Sequence, residues 1–457
     1  MTRTSYLLER VLVGEHVAQD VVVTVEDGRF VDPVSPLTRG NRHFPAEVSA
    51  GRSQNPRVGG ETVTRIPGLT LPGIANCHSH AFHRALRGRT QRGEGSFWTW
   101  RDQMYAVAGR LDPDSYYELA RLTYREMLCA GITSVGEFHY LHHQPDGTAY
   151  DDPNAMGRAL IAAAGDAGIR IALLDACYLA AGIGKPPEGV QRRYCDGTAE
   201  AWAERVADLR GDDTTVIGAA VHSVRAVPAD QMATVVRAAR GRPLHVHLSE
   251  QVAENEQCLA AHGRTPAELL DEHGALGDLT SAVHATHLTD HDLALLGGSR
   301  TRSCFCPTTE RDLGDGIGPS VALADHGSRL TLGSDSHAII DPFEEMRAVE
   351  LNERLATQQR GHWTAAALLQ AATEEGQASI GFPDAGRIEV GQRADLVTID
   401  PTSVRTAGTG ATHETAVFAA SAEDVTHVMV DGVLHETRSR REDLGHQLDR
   451  TIERVLR

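Results

Sequence analysis

No apolar run in the chain approaches the roughly 20 residues that a membrane-crossing helix needs, which excludes a spanning segment. Met1 to Glu9 includes Arg3 but no apolar core of signal-peptide length. Neither a secretion signal nor a membrane partner is therefore expected. Cysteine is sparse: seven residues, an odd number, scattered without framework spacing. Free thiols in a cytoplasmic protein are the simplest reading, and Cys304-Phe305-Cys306 reads as two small buried residues of a strand. Positive charge is also in deficit. Lys and Arg number 44 against 62 Asp and Glu, a net charge of −18, which argues against a nucleic-acid partner. An anionic small substrate is not excluded, because a pocket can be locally positive inside an acidic protein. No internal repeat is evident.

What the chain does have is length and an ordinary apolar content, 457 residues of which 41% are hydrophobic. That suits one barrel-sized domain of roughly 250–330 residues with a smaller companion. Residues 5–31 read as short β segments, with a hairpin at Glu26-Asp27-Gly28. Residues 33–60 are rich in Pro, Gly, Ser, Asn and Arg and read as a long surface loop. Residues 62–71 return to strand.

From Leu71 strands alternate with helices. Strands are expected near 132–139, 169–177, 216–222, 243–248, 281–288, 301–306 and 329–333. Helices are expected over 112–129, 153–167, 198–210, 229–240, 264–273, 290–297 and 319–326, with a loop over 309–319. With the opening strand this makes eight units, the pattern of an α/β (β/α)8 TIM-type barrel. Further helices follow at 341–357 and 363–376. β character returns at 388–392, 394–399 and 425–432, and a helix closes the chain. The expected division is 1–70 and 381–457 as two parts of a small β-sandwich, with the barrel at 71–380 between them.

Leu71-Pro72-Gly73-Ile74-Ala75-Asn76-Cys77-His78-Ser79-His80 ends the opening strand in His-x-His. Positions two apart on a strand share a face, so His78 and His80 point to one side and can chelate a metal. Active sites of such barrels lie at the C-terminal ends of the strands. There the fifth strand offers His245 and His247, with His247 nearer its end. Glu250, three residues on, reaches the same side only if the strand has ended and the chain has turned. The sixth strand offers His284 and His287, between which spacing does not choose, and the eighth offers Asp335. Three histidines and an aspartate from three strands make a site for one divalent metal with an open position for water. Burying such groups together without a purpose is costly.

His-x-His on strand one, His on strands five and six and Asp on strand eight resemble the amidohydrolase superfamily of metal-dependent hydrolases. His247-x-x-Glu250, with no evident carboxylated lysine on strand four, is similar to its mononuclear deaminase branch. Four further segments resemble the members of that branch that act on formimidoylglutamate. They are Phe97-Trp98-Thr99-Trp100-Arg101, residues 136–143, His222-Ser223-Val224-Arg225-Ala226-Val227 and residues 306–316.

The resemblance implies that His78, His80, His247 and Asp335 hold the metal. It implies that Glu250 and His284 are the acid/base residues, with Asp335 also in the catalytic set, and it favours His284 over His287. Arg101, Tyr140, His222 and Arg225 are then substrate contacts. His83 stands where the family usually has Gln. The cofactor implied is one divalent metal ion, zinc first and ferrous iron second. The reaction implied is hydrolysis of a linear amidine C–N bond in histidine degradation, on a small anionic substrate, by a homodimer. Trp98 and Trp100 read as packing residues, and His139, His142 and His143 as supporting residues. Two other readings remain: a deaminase or dechlorinase of a guanine- or triazine-like heterocycle sharing the metal site, and an inactive barrel serving as a binding subunit.

Overall fold

A computed structural model describes residues 3–14, 16–32, 35–36, 57–58, 61–91 and 97–457. Eight parallel strands follow one another in chain order around a barrel: Ile74–Ser79, Ile132–His139, Arg170–Cys177, Thr215–Val221, Leu244–Leu248, Thr280–His284, Arg302–Phe305 and Leu330–Leu332. Strands buried on both faces, such as Arg170–Cys177, need no polar alternation. The helices between them carry ordinary stop and start signals. Asp112 caps Pro113–Cys129 through a reciprocal bond with Ser115, and Gly168 ends Ala155–Ala167 in the left-handed conformation.

The barrel closes at the C-terminal ends of its first and last strands. The Ser334 and Asp335 amides both donate to the His78 carbonyl, at 3.1 and 3.0 Å, and the His80 amide donates to the Asp335 carbonyl at 3.3 Å. Such approach requires Gly333, where a Cβ would stand 2.7 Å from the His78 Cβ and 2.9 Å from the Cys306 Sγ.

The chain ends meet in one mixed sheet. Arg3–Val13 pairs antiparallel with His16–Glu26 and parallel with Thr64–Pro72, which pairs antiparallel with Leu396–Ile399. Val425–Val430 and Val433–Glu436 extend the far edge. Asp27 and Gly28, at φ 50° and 77°, make the expected hairpin turn. Leu8, Val11, Val23, Phe30, Ile66, Leu396 and Met429 form this sheet's own core. The loop expected over 33–60 lies almost wholly outside the described residues. Within it Ser35–Pro36 pairs with Val21 and Val22, and Arg57–Val58 pairs with Glu61–Thr62. The closing helix, Thr437–Leu456, buries Leu444, Leu448, Ile452 and Val455 on one face.

Several elements differ from expectation. Residues 388–392 form a turn rather than a strand. Gly391 at φ 86° breaks the run, and its amide and the Gln392 carbonyl bond Phe30. The helix expected over 363–376 divides at Thr373, whose hydroxyl donates to the Leu369 carbonyl at 2.7 Å. Part of the loop expected over 309–319 is helical: Pro307–Leu313 starts on a proline with Glu310 in its first turn. The sixth strand stops at His284 and not at 288. Helices Phe97–Ala108 and Val252–His262 had no counterpart in the sequence reading.

Barrel and terminal sheet are joined by Arg170. Its guanidinium takes both Asp395 oxygens, lies 3.0 Å from Asp431 and donates to the Ser134 hydroxyl at 2.9 Å. Arg170 and Asp395 are both buried. Removing one partner of such a pair strands the other charge out of water. Arg170→Met is expected to lower the unfolding free energy by about 3–5 kcal/mol, read from the shift of the urea unfolding midpoint.

Candidate active site

Three strand ends leave ordinary β geometry where the site needs them to. Ser249, His284 and Asp335 have φ of 51°, 69° and 39°. Non-glycine residues at positive φ are disfavoured, and such conformations cluster at functional sites. The bend at Ser249 ends the fifth strand and brings Glu250 round to the side of His247, meeting the condition the spacing had set. The bend at His284 ends the sixth strand with its ring inward. His287 lies beyond that bend, and its Nε2 bonds the Asp315 carbonyl at 2.8 Å. His245 faces the other end of the barrel, where its Nε2 is 3.4 Å from the Ser379 carbonyl.

The structure brings His78, His80, His247 and Asp335 to one point. His78 Nε2 lies 3.1 Å from His247 Nε2 and 3.4 Å from Asp335 Oδ1, and His80 Nε2 lies 3.3 Å from the same oxygen. Donors held at about 2.0–2.2 Å around one tetrahedral ion stand about 3.3–3.6 Å apart, so the spacing fits such an ion. The protonation states fit as well. Burial lowers the His78 pKa to about 3, and burial likewise lowers those of His80 and His247. Burial works against ionisation of Asp335, but hydrogen bonding to His78 and the charges of His78, His80 and His284 hold it well below the usual carboxylate range. Neutral imidazoles and an ionised carboxylate are what metal binding requires. His80 Nδ1 donates to the Phe138 carbonyl at 2.8 Å, which turns its Nε2 lone pair inward.

His284 stands beside this set. Its Nε2 is 3.8 Å from both Glu250 Oε1 and Asp335 Oδ2. Burial disfavours its charged form, but Glu250, Glu310 and Asp335 outweigh that and push its pKa up to about 10. Glu310 Oε1 faces His284 Nδ1 at 3.3 Å and also accepts from the Cys306 amide at 2.8 Å. Glu310 received no role from the sequence reading, although it lies within the 306–316 segment. The available signal was an acid in the first turn of a proline-started helix directly after a barrel strand. Glu137 was missed in the same way. Its carboxylate accepts from the Ser79 hydroxyl and the Ala81 amide, both at 2.6 Å, and so holds the turn that follows His80.

A cleft opens over these groups. It is lined by His80, His247, Glu250, His284 and Asp335, and by Arg101, Tyr140, His222, Arg225 and His83. His83 Nε2 is 3.0 Å from the Tyr140 hydroxyl, so these two share one hydrogen bond. Arg225 lies 3.7 Å from the buried Glu254 carboxylate. Burial works to lower the Arg225 pKa, but Glu254 and Glu250 raise it overall. Trp100 also lines the cleft, its ring 5.3 Å from that of His83. A second group, His139, His142 and Asp175, clusters behind the barrel wall. There the Arg205 guanidinium takes both Asp175 oxygens and His142 Nε2 donates to the Ala176 carbonyl, so it is an ion-pair network.

A closed (β/α)8 barrel with three convergent histidines, an aspartate and a flanking Glu–His pair at its C-terminal rim is the architecture of a metal-dependent hydrolase. The chain belongs to the amidohydrolase family, whose model matches residues 69–434. It is 38% identical over 361 residues to a formimidoylglutamate deiminase of Pseudomonas aeruginosa, covering 76% of this chain and 79% of that protein. It is 29% identical over 416 residues to a 5-methylthioadenosine/S-adenosylhomocysteine deaminase of Shouchella clausii, covering 90% of this chain and 88% of that one. Among solved structures an amidohydrolase from Brucella melitensis superposes with a TM-score of 0.87 at 29% identity, covering 99% of this chain and all of that one.

Converging donors of this kind should retain a divalent ion through gel filtration. His247→Ala is expected to lower that metal content by more than about tenfold while the far-ultraviolet circular dichroism stays native. Elemental analysis by plasma mass spectrometry reads the metal content of both proteins.

Proposed function

We propose that this chain hydrolyses N-formimidoyl-L-glutamate to N-formyl-L-glutamate and ammonia, a step of histidine degradation. The observation that carries the reading is the pairing of two guanidiniums with the acid/base pair in one cleft of an acidic protein. Formimidoylglutamate has a cationic amidine at one end and two carboxylates at the other. Arg101 and Arg225 match the carboxylates, because a guanidinium can grip each through two parallel hydrogen bonds. Glu250 matches the amidinium. The relative from Pseudomonas aeruginosa supports this substrate over a heterocycle, while the nucleoside deaminase relative keeps the heterocycle as the second reading.

In this reading His78, His80, His247 and Asp335 hold the metal, and a donor set of three imidazoles and one carboxylate suits zinc, with iron as the alternative. Bound there, the ion would supply Lewis acidity that lowers the pKa of a water to about 7. The remaining work falls to side chains. A cation held by the four donors would offset the acids that raise the His284 pKa, which leaves Nε2 able to take the water's proton, with Glu310 fixing the ring from Nδ1. Glu250 holds the amidinium against the nucleophile, takes the second proton from the added oxygen and passes it to the departing nitrogen. The water oxygen bonds to the formimidoyl carbon, the bond from that carbon to the terminal nitrogen breaks, and ammonia leaves. Tyr140, His222 and His83 line the path between the amidine and the carboxylate end.

The wild-type protein is expected to release ammonia from formimidoylglutamate and not from guanine or 5′-methylthioadenosine; the reverse preference would refute the proposal. Glu250→Gln is expected to lower kcat about 10²–10⁴-fold with the metal retained. Arg225→Met is expected to raise KM about 10- to 100-fold; an unchanged KM would remove Arg225 from the site.

A further inference from the structure

We propose that the hydroxyls of Tyr105 and Tyr178, oriented by Gln191, donate hydrogen bonds to the substrate's carboxylates and complete with Arg101 and Arg225 a four-residue dicarboxylate subsite. The inference rests on the reading of the substrate just given.

Gln191 sits in the turn Gly189–Tyr194, and its Oε1 accepts from the Glu188 amide at 3.1 Å. An amide oxygen only accepts and an amide nitrogen only donates, so this backbone bond settles which way the side chain faces. Its Nε2 is then directed at two phenol oxygens, that of Tyr105 at 3.0 Å and that of Tyr178 at 2.9 Å. Each phenol spends its acceptor capacity on the amide and keeps its own proton. Among the described residues neither hydroxyl donates to a protein acceptor. Tyr178 and Gln191 are each 7% exposed. A buried hydroxyl proton without an acceptor, such as that of Tyr178, is costly, and both tyrosines line the cleft.

The cationic neighbours give these protons a direction. Arg101 lies with its guanidinium carbon 5.6 Å from the centre of the Tyr105 ring, and Arg225 lines the same cleft. Burial raises the pKa of both phenols, so each remains a donor across the physiological range. A group with acceptors and no protons fits four converging donors, and an ionised dicarboxylate is such a group. A purine or triazine edge, which mixes donors and acceptors, leaves some of the four unpaired. Sites built to hydrogen-bond a polar group discriminate strongly against ligands that lack it. The tyrosines therefore select for the acid end of the substrate, and Gln191 is a positioning residue that acts through them.

The test compares Tyr105→Phe, Tyr178→Phe and Gln191→Met on two substrates: formimidoyl-L-glutamate and 4-formimidamidobutanoate, which lacks the α-carboxylate. Each Phe variant is expected to raise KM for the dicarboxylate about tenfold with kcat changed less than about threefold, and at least one is expected to lose most of its effect on the monocarboxylate. Gln191→Met should raise KM similarly, but add nothing once both tyrosines are Phe. A KM within twofold of wild type in both Phe variants would overturn the proposal. So would a fall in kcat at unchanged KM, or an equal penalty on the two substrates. Glutarate binding by calorimetry separates this inference from the reading beneath it. If the wild type does not turn over formimidoylglutamate, that reading fails. The subsite then stands only if glutarate binds and the Phe variants weaken it about tenfold.

Discussion

The barrel seam and the proposed metal site are the same contact. The His78 carbonyl accepts from both Ser334 and Asp335, and the His80 amide donates back to Asp335. Those bonds join the first strand to the last, and they also bring the side chains of His78 and His80 to 3.4 and 3.3 Å from the same Asp335 oxygen. The backbone that closes the sheet therefore sets the donor geometry, and no mobile loop intervenes. Two buried imidazole nitrogens 3.1 Å apart, beside an ionised carboxylate, are poorly satisfied by one another alone. A shared cation would resolve that arrangement.

Around the seam, strain is placed where function needs a change of direction. Ser249, His284 and Asp335 each adopt a positive φ that a non-glycine residue ordinarily avoids. A straight continuation of the fifth strand would aim Glu250 at the opposite face, away from His247. One left-handed residue changes that. Surrounding groups hold the bent ends in place: Glu310 behind His284, Glu137 under the turn after His80, and the Phe138 carbonyl against His80. Precision at the reacting centre comes from these supports, which are themselves buried and hydrogen-bonded.

Charge is partitioned in the same way. The chain carries a formal −18, yet the cleft presents two guanidiniums and two phenol hydroxyls held by one amide. One end of the cleft chemistry suits a cationic amidine and the other suits carboxylates. On the function proposed here, substrate orientation follows from the distribution of charge, with Glu250 and the arginines in opposite roles.

Strand periodicity, the alternation of strands with helices and the paired signature of His78 and His80 were legible from the residues, because they are local. So were the histidines and acids at later strand ends, because a (β/α)8 barrel gathers strand ends at one rim by construction. Three things were not. The choice between His284 and His287, and the reach of Glu250, hang on single residues at positive φ, which no periodicity announces. The turn at Gly391 depends on bonds to Phe30, distant in the chain, and the division of the helix at Thr373 hangs on one hydroxyl that bonds the Leu369 carbonyl. Tyr105, Tyr178 and Gln191 come from a helix, a strand end and a turn whose spacing carries no pattern. The amide links them only after the chain has folded, since hydrogen-bond direction is a property of three-dimensional neighbours and not of order along the backbone.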